Sequence, residues 1–238
     1  PGAAERGNVI HKILEEFITK YPDNLPVDAE EMLLNIGKQH FESHITRPGI
    51  RAFWWPRFKR IASWFVINEQ RQRKIGRLPL ALEIKGNRTF FSNGKTFTLT
   101  ARADRIDINS DGTLSIIDYK TGKPPSDKQI AVGLTPQLPL EAAIANKGGF
   151  EEVCSETVSN LIYIQLSGGR RPGHERPIKL NVAQTIEDAV SGLIRLVKKY
   201  ETPATPYLSQ PRPMFASQFG IYDHLARLKE WQGRRKKL

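Results

Sequence analysis

The sequence of 238 residues contains one cysteine, Cys154, and this scarcity excludes several kinds of site. A single cysteine cannot form an internal disulfide, a zinc site made of cysteines or an iron–sulfur cluster held by this chain alone. The absence of disulfides is typical of proteins from reducing compartments. We therefore expect a cytoplasmic protein whose one thiol is buried and which carries no iron–sulfur cluster.

Long apolar runs are also missing. No segment approaches the roughly 18 apolar residues that span a bilayer. The first six residues do not resemble a signal peptide, because a basic segment followed by an apolar one is lacking. The composition, 39% hydrophobic and 26% charged, lies within the globular range. Since the sequence does not begin with Met, we expect a soluble fragment of a longer protein.

Acidic side chains are scarce in two stretches, and the positive charge is concentrated there. The chain has 36 Lys and Arg against 25 Asp and Glu, a net charge of +11. Residues 51–77 contain eight basic residues and one acid, and the last fourteen residues contain six basic residues and one acid. A local excess of this kind is typical of a surface that meets a polyanion such as nucleic acid. A solvated basic helix face is the alternative.

The hydrophobic pattern predicts helices first and a sheet afterwards. Helical periodicity covers residues 7–21, 28–45 and 53–75, and the third stretch is aromatic and basic. From residue 80 the pattern alternates, and Asn93-Gly94 predicts a hairpin turn. Residues 114–117 are apolar enough for a central strand. Beyond them we expect a helical stretch at 126–146 interrupted near Pro136, strands at 157–166 and 178–180, and a helix at 184–200.

The predicted fold is therefore of the α/β class, with a mixed sheet flanked by helices on both sides. We expect one domain in three parts. Residues 1–78 form a helical N-terminal lobe, residues 79–200 form the core, and residues 201–238 form a tail rich in proline and basic residues.

Two carboxylates that lie 14 residues apart, Asp104 and Asp118, are the main candidates for chemistry. A turn at Asp111-Gly112 folds their strands together and can bring both acids to one end of the sheet. An oxygen site of this kind suits magnesium or manganese. Lys120 shares a strand face with Asp118, so its ammonium group could position a water or neutralise a transition state. A plain ion pair between Asp118 and Lys120 is the alternative.

These residues resemble the core of PD-(D/E)XK nucleases, in which an acid precedes a motif such as Ile-Ile-Asp-Tyr-Lys-Thr-Gly, here around Asp118. The spacing of Gly7 and His11 looks like the Gly-x-x-x-His helix of the RecB-like branch. Gln137 begins a segment similar to the Gln-x-x-x-Tyr motif of that branch, with Glu141 where many relatives have Tyr. In this order the motifs are especially similar to the C-terminal nuclease domains of the AddB family.

The resemblance implies a role for each matching residue. The metal ligands would be His11, Asp104, Asp118 and the backbone carbonyl of Tyr119. Lys120 would be the catalytic lysine, Gln137 would touch the site rim or the DNA backbone, and Glu83 is a candidate for an additional acid. The cofactor would be Mg²⁺ or Mn²⁺. Some AddB proteins hold a [4Fe–4S] cluster with four cysteines, and Cys154 alone does not provide such a site.

The resemblance also implies a function and partners. We expect a metal-dependent exonuclease domain that hydrolyses single-stranded DNA delivered by an AddA-like helicase–nuclease subunit during double-strand break repair, in the cytoplasm and at the nucleoid. Arg57, Arg60 and Arg71, on the third helical stretch, are expected to contact DNA. The alternatives are another RecB-like nuclease of the Cas4 type and a catalytically silent DNA-binding or interaction module.

Overall fold

The computed structural model describes residues 3–44, 48–92 and 94–208. The helices are α1 (Ala3–Lys20), α2 (Ala29–His44), α3 (Pro48–Lys74), α4 (Asp127–Ala131), α5 (Gln137–Ala145) and α6 (Val182–Glu201). The strands are β1 (Leu78–Ser92), β2 (Lys95–Ile108), β3 (Leu114–Lys120), β4 (Val158–Leu166) and β5 (Gly173–Pro177).

The five strands form one sheet in the order β1-β2-β3-β4-β5. Only β3 and β4 run parallel, because α4 and α5 connect them, while the other neighbours are antiparallel. The sheet is therefore mixed, and the predicted α/β class is confirmed. β3 is the middle strand, and six of its seven residues are buried, which agrees with its apolar sequence.

Two cores lie on opposite faces of the sheet. The first core packs α1, α2 and α3 against side chains of β3 and β4 such as Ile117 and Ile162. The second core packs α5 and α6 against the other face, through side chains such as Ile116 and Leu161. Successive residues of a strand point to opposite faces, so neighbours on β3 serve different cores. The helical N-terminal segment is thus one layer of the fold.

Most predicted elements are present, and one is misplaced. The helical stretch after Ser126 is interrupted, and Ser126 caps α4 through a capping box with Gln129. The strand predicted at 178–180 is wrong, because β5 ends at Pro177. Ile178 follows the strand, and its backbone N–H still donates to the carbonyl of Leu161 at 2.9 Å. Its apolar side chain marks burial rather than strand pairing.

A set of buried charged side chains joins α3 to the sheet. Arg105 is fully buried and donates to Glu69 Oε1 at 2.6 Å and to Asp107 Oδ1 at 2.5 Å. Arg77 contacts Asp107 at 3.3 Å and donates to both carboxylate oxygens of Glu175 at 3.0 and 2.8 Å. We refer to these five residues as the buried ion network. Each charged group in it has a partner of opposite sign.

Of the described residues, those up to 197 belong to one compact unit, and residues 198–208 belong to a second. In the second unit the ring of Tyr200 stacks on that of Tyr207 with centroids 4.9 Å apart. The basic end of the predicted tail lies outside the described residues. Cys154 is exposed, so the expectation of a buried thiol was wrong. Within the described ranges, no helix is both long enough and apolar enough to cross a membrane.

Candidate active site

The predicted site residues meet at the edge of the sheet where β3 ends. β3 carries Asp118, Tyr119 and Lys120 to this edge, and the antiparallel strand β2 brings Asp104 beside them. The backbone N–H of Tyr119 donates to Asp104 Oδ2 at 2.9 Å, which fixes that carboxylate against β3. The turn at residues 109–113 connects the two strands, as the sequence predicted. His11 reaches this edge from α1.

His11 is surrounded by oxygen atoms. Its Nε2 lies 3.1 Å from the backbone carbonyl oxygen of Tyr119. Its Nδ1 lies 3.6 Å from Asp104 Oδ2 and 3.7 Å from Glu83 Oε1. One ligand atom from each of His11, Glu83 and Asp104 lies within 4.8 Å of the others. Nitrogen and carboxylate donors in this arrangement can hold a divalent cation.

Glu83 stands opposite Asp104, between the paired residues Leu82–Arg105 and Ile84–Ala103. Its φ angle is +47°, a backbone conformation that costs energy for a residue with a side chain. Arg102 donates from Nε to the Glu83 carbonyl at 3.0 Å and pairs with Glu83 Oε2 at 2.9 Å. The strained backbone and the arginine together direct the Glu83 carboxylate toward His11.

A second group of side chains lies on the α5 side of the same edge. Lys120 Nζ donates to Asp118 Oδ1 at 2.7 Å and to Gln137 Oε1 at 3.3 Å. Gln137 Nε2 donates to Asp118 Oδ1 at 2.8 Å and to Glu141 Oε1 at 3.1 Å. Gln137 and Glu141 are four residues apart on α5, so they share a helix face. Asp118, Lys120 and Gln137 therefore form one hydrogen-bonded group.

Burial, with neighbouring negative charge as a smaller cause, raises the pKa of the acids in this region. Burial and then the neighbouring Asp104 carboxylate raise the pKa of Asp118 to about 6. Burial raises the pKa of Asp104 and that of Glu141, the latter to about 8. Among the described residues, the buried oxygens Asp118 Oδ2 and Glu141 Oε2 have no hydrogen-bond partner. A cation or a proton is what such a cluster favours.

The structure brings together every residue predicted for the metal and for catalysis: His11, Glu83, Asp104, Asp118, Tyr119, Lys120 and Gln137. The arginines predicted to contact DNA divide into two groups. Arg60 donates to the carbonyl of Gly168 at 2.8 Å, and Gly168 lies against the Arg57 backbone, just beyond the end of β4. Arg71 lies at the other end of α3 and donates to Asn68.

Sequence reasoning missed three residues at this edge. Arg102 was not predicted, and Glu141 appeared only as a departure from a motif. Arg6, one residue before the Gly-x-x-x-His segment, donates to the carbonyl of Thr121 at 3.4 Å. The available signal was weak, because only the fold shows that the first turns of α1 pass next to the loop after β3.

Comparison with known proteins gives a family and several relatives. The profile of the PD-(D/E)XK nuclease superfamily matches residues 1–209. A protein of uncharacterized function from Rickettsia bellii is 29% identical over 213 residues, which cover 84% of this chain and 25% of that protein. One from Rickettsia conorii is 27% identical over 253 residues, covering 95% of this chain and 30% of that protein.

A third relative has a functional name. It is one of the subunits of the ATP-dependent helicase/deoxyribonuclease of Clostridium perfringens, and it is 32% identical over 176 residues, covering 63% of this chain and 15% of that protein. The chain thus spans less than a third of the length of each of these three relatives.

Proposed function

Since the chain belongs to the PD-(D/E)XK nuclease superfamily, we propose that it is a divalent-metal-dependent nuclease domain that hydrolyses phosphodiester bonds of single-stranded DNA. The observation that carries this proposal is the convergence of His11, Asp104, Asp118 and Lys120 at one edge of the sheet. Two acids and an imidazole can hold a metal ion for phosphodiester hydrolysis, and a lysine ammonium can stabilise the negative charge that develops on the phosphate.

The residues present fit a divalent cation. The unpartnered oxygen Asp118 Oδ2, the carboxylates of Asp104 and Glu83, the Nδ1 of His11 and the Tyr119 carbonyl supply hard donors at the site. We propose that Asp104, Asp118, His11 and the Tyr119 carbonyl hold Mg²⁺ or Mn²⁺, with Glu83 as an additional acid. When bound, the cation supplies Lewis-acid stabilisation of negative charge on the scissile phosphate.

Lys120 is suited to a catalytic role because its ammonium group is both fixed and accessible. Two acceptors, Asp118 Oδ1 and Gln137 Oε1, hold the Nζ, while 34% of the side chain is exposed. In this position the lysine can donate to the attacking water or to a phosphate oxygen that gains charge. Gln137 orients both Asp118 and Lys120, and Glu141 in turn accepts a hydrogen bond from Gln137.

We further propose that the domain acts within a helicase–nuclease that resects double-strand breaks, with single-stranded DNA supplied by a motor subunit. The similarity to the helicase/deoxyribonuclease component of Clostridium perfringens supports this assignment. Further support comes from the basic edge near Arg57 and Arg60, which offers phosphate contacts beside the proposed catalytic group.

The test is cleavage of end-labelled single-stranded DNA by the chain with Mg²⁺, with Mn²⁺ and with EDTA. The wild type should cleave only with metal. Asp118→Asn should show no detectable cleavage, because an amide is a poor ligand for a hard cation. Lys120→Ala should lower kcat by about 10²-fold, the scale for the loss of one electrostatic stabiliser.

Glu156→Gln provides a matched control, since Glu156 is an exposed acid before β4, at the opposite edge of the sheet. This variant should cleave like the wild type. Metal-dependent cleavage by Asp118→Asn at the wild-type rate would contradict the proposal. Binding of DNA by a wild-type chain that cleaves nothing with either metal would favour the silent DNA-binding module instead.

A further inference from the structure

The hairpin of β1 and β2 continues far beyond the candidate active site as a two-stranded ribbon. β3 pairs with β2 only up to Arg105, whereas β1 and β2 stay paired as far as Ser92 and Lys95. From Asp104 to Lys95 the ribbon is about 30 Å long, at about 3.4 Å per residue. Its base is formed by Glu83 and Asp104, so it begins at the proposed metal site.

One face of this ribbon packs against the rest of the protein. The side chains of Ile84, Leu99 and Ala101 lie against the second core. Arg88 donates to the carbonyl of Ala143 at 3.1 Å. The ring of Phe150 covers Gly86 so closely that a side chain there would clash. The ribbon is therefore a fixed element of the fold and not a free arm.

The opposite face of the ribbon is exposed, and we refer to it as the outer face. It consists of Lys85, Asn87, Thr89 and Phe91 on β1 and of Thr96, Thr98, Thr100 and Arg102 on β2. Because the inner face contacts the core of α5 and α6, the outer face turns to the side of the sheet from which α1 supplies His11. A DNA strand that leaves the active site on this side would therefore pass over the outer face.

The chemistry of the ribbon fits a polyanion. Residues 84–103 include four basic residues and no acid. Three of these basic residues, Lys85, Lys95 and Arg102, are exposed. The hydroxyls of the outer face are of the kind that contact phosphate oxygens, and the hydroxyls of Thr89 and Thr98 already lie 3.1 Å apart across the strands.

The tip of the ribbon carries an exposed aromatic ring. Phe91 is 81% exposed, which is unusual for phenylalanine in a fixed strand. Exposed aromatic side chains beside basic ones are the usual platform on which unpaired bases stack. Charge, hydroxyl donors and an aromatic ring thus occur together on one surface that begins at the candidate active site.

We propose that the outer face of the β1–β2 ribbon binds single-stranded DNA and guides it to the active site. This inference rests on the proposed function, since it names the path of the same substrate. Lys85 contacts a phosphate, and Phe91 stacks on a base. Lys95 is not part of this surface, because it pairs with the buried Ser92 on the other face of the ribbon. The length of the ribbon corresponds to several nucleotides, within the range of about 4–16 that single-strand-binding folds cover.

The experiment measures binding of a fluorescent 16-nucleotide oligo(dT) to the chain in EDTA at several salt concentrations, so that no cleavage is required. Lys85→Ala should weaken binding and flatten the slope of log K against log salt by about 0.7, the value for one phosphate contact. Phe91→Ala should weaken binding about fivefold or more, since loss of one stacked base costs at least ~1 kcal/mol.

The matched control is Lys38→Ala. Lys38 is an exposed lysine on α2, away from the ribbon, and its loss removes the same charge. The control should keep the wild-type slope. An unchanged slope after loss of Lys85, or the same change in the control, would overturn the proposal, and the outer face would then be a surface for another protein.

Cleavage assays distinguish failure of the proposed DNA-binding role of the ribbon from failure of the proposed nuclease function. Cleavage of a four-nucleotide substrate with Mg²⁺ should be nearly unaffected by the ribbon variants, whereas KM for the 16-nucleotide substrate should rise. Cleavage of both substrates with unchanged KM would reject the ribbon and leave the nuclease assignment intact. Binding that depends on Lys85 and Phe91 in a chain that cleaves neither substrate would support the proposed role of the ribbon and reject the catalytic proposal.

Discussion

Two groups of charged side chains lie on either side of Tyr119, and they differ in how their charges are balanced. The phenol oxygen of Tyr119 accepts a hydrogen bond from Arg105 at 3.1 Å, within the buried ion network. The backbone carbonyl of the same residue faces His11 at the candidate active site. In the network each acid has an arginine partner, whereas at the site Asp118 Oδ2 and Glu141 Oε2 are buried without a hydrogen-bond partner among the residues that the structure describes.

The difference separates a structural role from a chemical one. Buried ions are tolerated when every group has a partner, and such a network can hold neighbouring elements in fixed positions. Within the network, Arg77 lowers the pKa of Glu175 below its ordinary value, while burial raises that of Asp107 despite its two arginine partners. At the site, burial and mutual repulsion raise the pKa of Asp118 and of Glu141 instead. Perturbed acids in a cluster of this kind are typical of functional sites.

The largest expected effect is on stability, and it comes from removing one charge of the buried ion network. Arg105→Met leaves the carboxylates of Glu69 and Asp107 buried without their main partner. Loss of one partner of a buried ion pair costs about 3–5 kcal/mol. We expect the free energy of unfolding, measured by urea denaturation, to fall by this amount.

Two further variants test whether charge balance is the reason. Arg195→Met changes an exposed arginine on α6 and should alter the free energy of unfolding by less than about 0.5 kcal/mol. Combining Arg105→Met with Glu69→Gln and Asp107→Asn removes all three charges and should recover part of the lost stability. A loss below about 1 kcal/mol in Arg105→Met alone would mean that the network is not held by its charges.

An intermediate effect is expected from Glu141 as pH changes. Its pKa of about 8 exceeds the ordinary value of 4.5, so the folded chain keeps a proton that the unfolded chain releases. Stability contributed by this proton is complete below about pH 4.5 and is lost as pH rises through about 8. Without metal, Glu141→Gln should therefore be more stable than the wild type at pH 9 by a few kcal/mol, at about 1.36 kcal/mol per unit of pKa difference, and the gap should close toward pH 5.

The measurement is thermal unfolding in EDTA at pH 5–9. Asp118→Asn provides a comparison. Its difference in stability from the wild type should change at lower pH, near the Asp118 pKa of about 6. If the difference in stability between Glu141→Gln and the wild type stays constant across this pH range, burial does not raise the pKa of Glu141.

The sequence predicted the site better than it predicted the surroundings of the site. Asp104, Asp118 and Lys120 belong to a strand–turn–strand unit, whose geometry follows from alternation and a turn signal. The buried ion network was not predictable in this way, because Glu69 and Arg105 are 36 residues apart and meet only through packing. Arg77, counted among the basic residues of 51–77, proved to be buried and paired.

The smallest expected effect compares the two ends of α3, which runs from the edge of the candidate site to the buried ion network. Arg57 and Arg60 lie beside Gly168 at the site edge, where DNA would pass. Arg71 lies about 21 Å from Arg57, at about 1.5 Å per residue of helix. Arg71 donates to Asn68 at 2.7 Å and lies near Glu175, a member of the buried ion network. We therefore expect these arginines to differ in their contribution to DNA binding.

Replacing Arg57 and Arg60 by Ala should flatten the slope of log K against log salt for single-stranded DNA by about 1.4, at about 0.7 per contact. Replacing Arg71 and Lys74 removes the same charge from the other end of α3 and should leave the slope unchanged. Titration of labelled oligo(dT) in EDTA at several salt concentrations measures both. Equal flattening of the slope by the two double variants would mean that DNA contacts the whole length of α3, as the basic sequence alone suggested. Arg71 would then bind DNA despite its hydrogen bond to Asn68 and its position near Glu175.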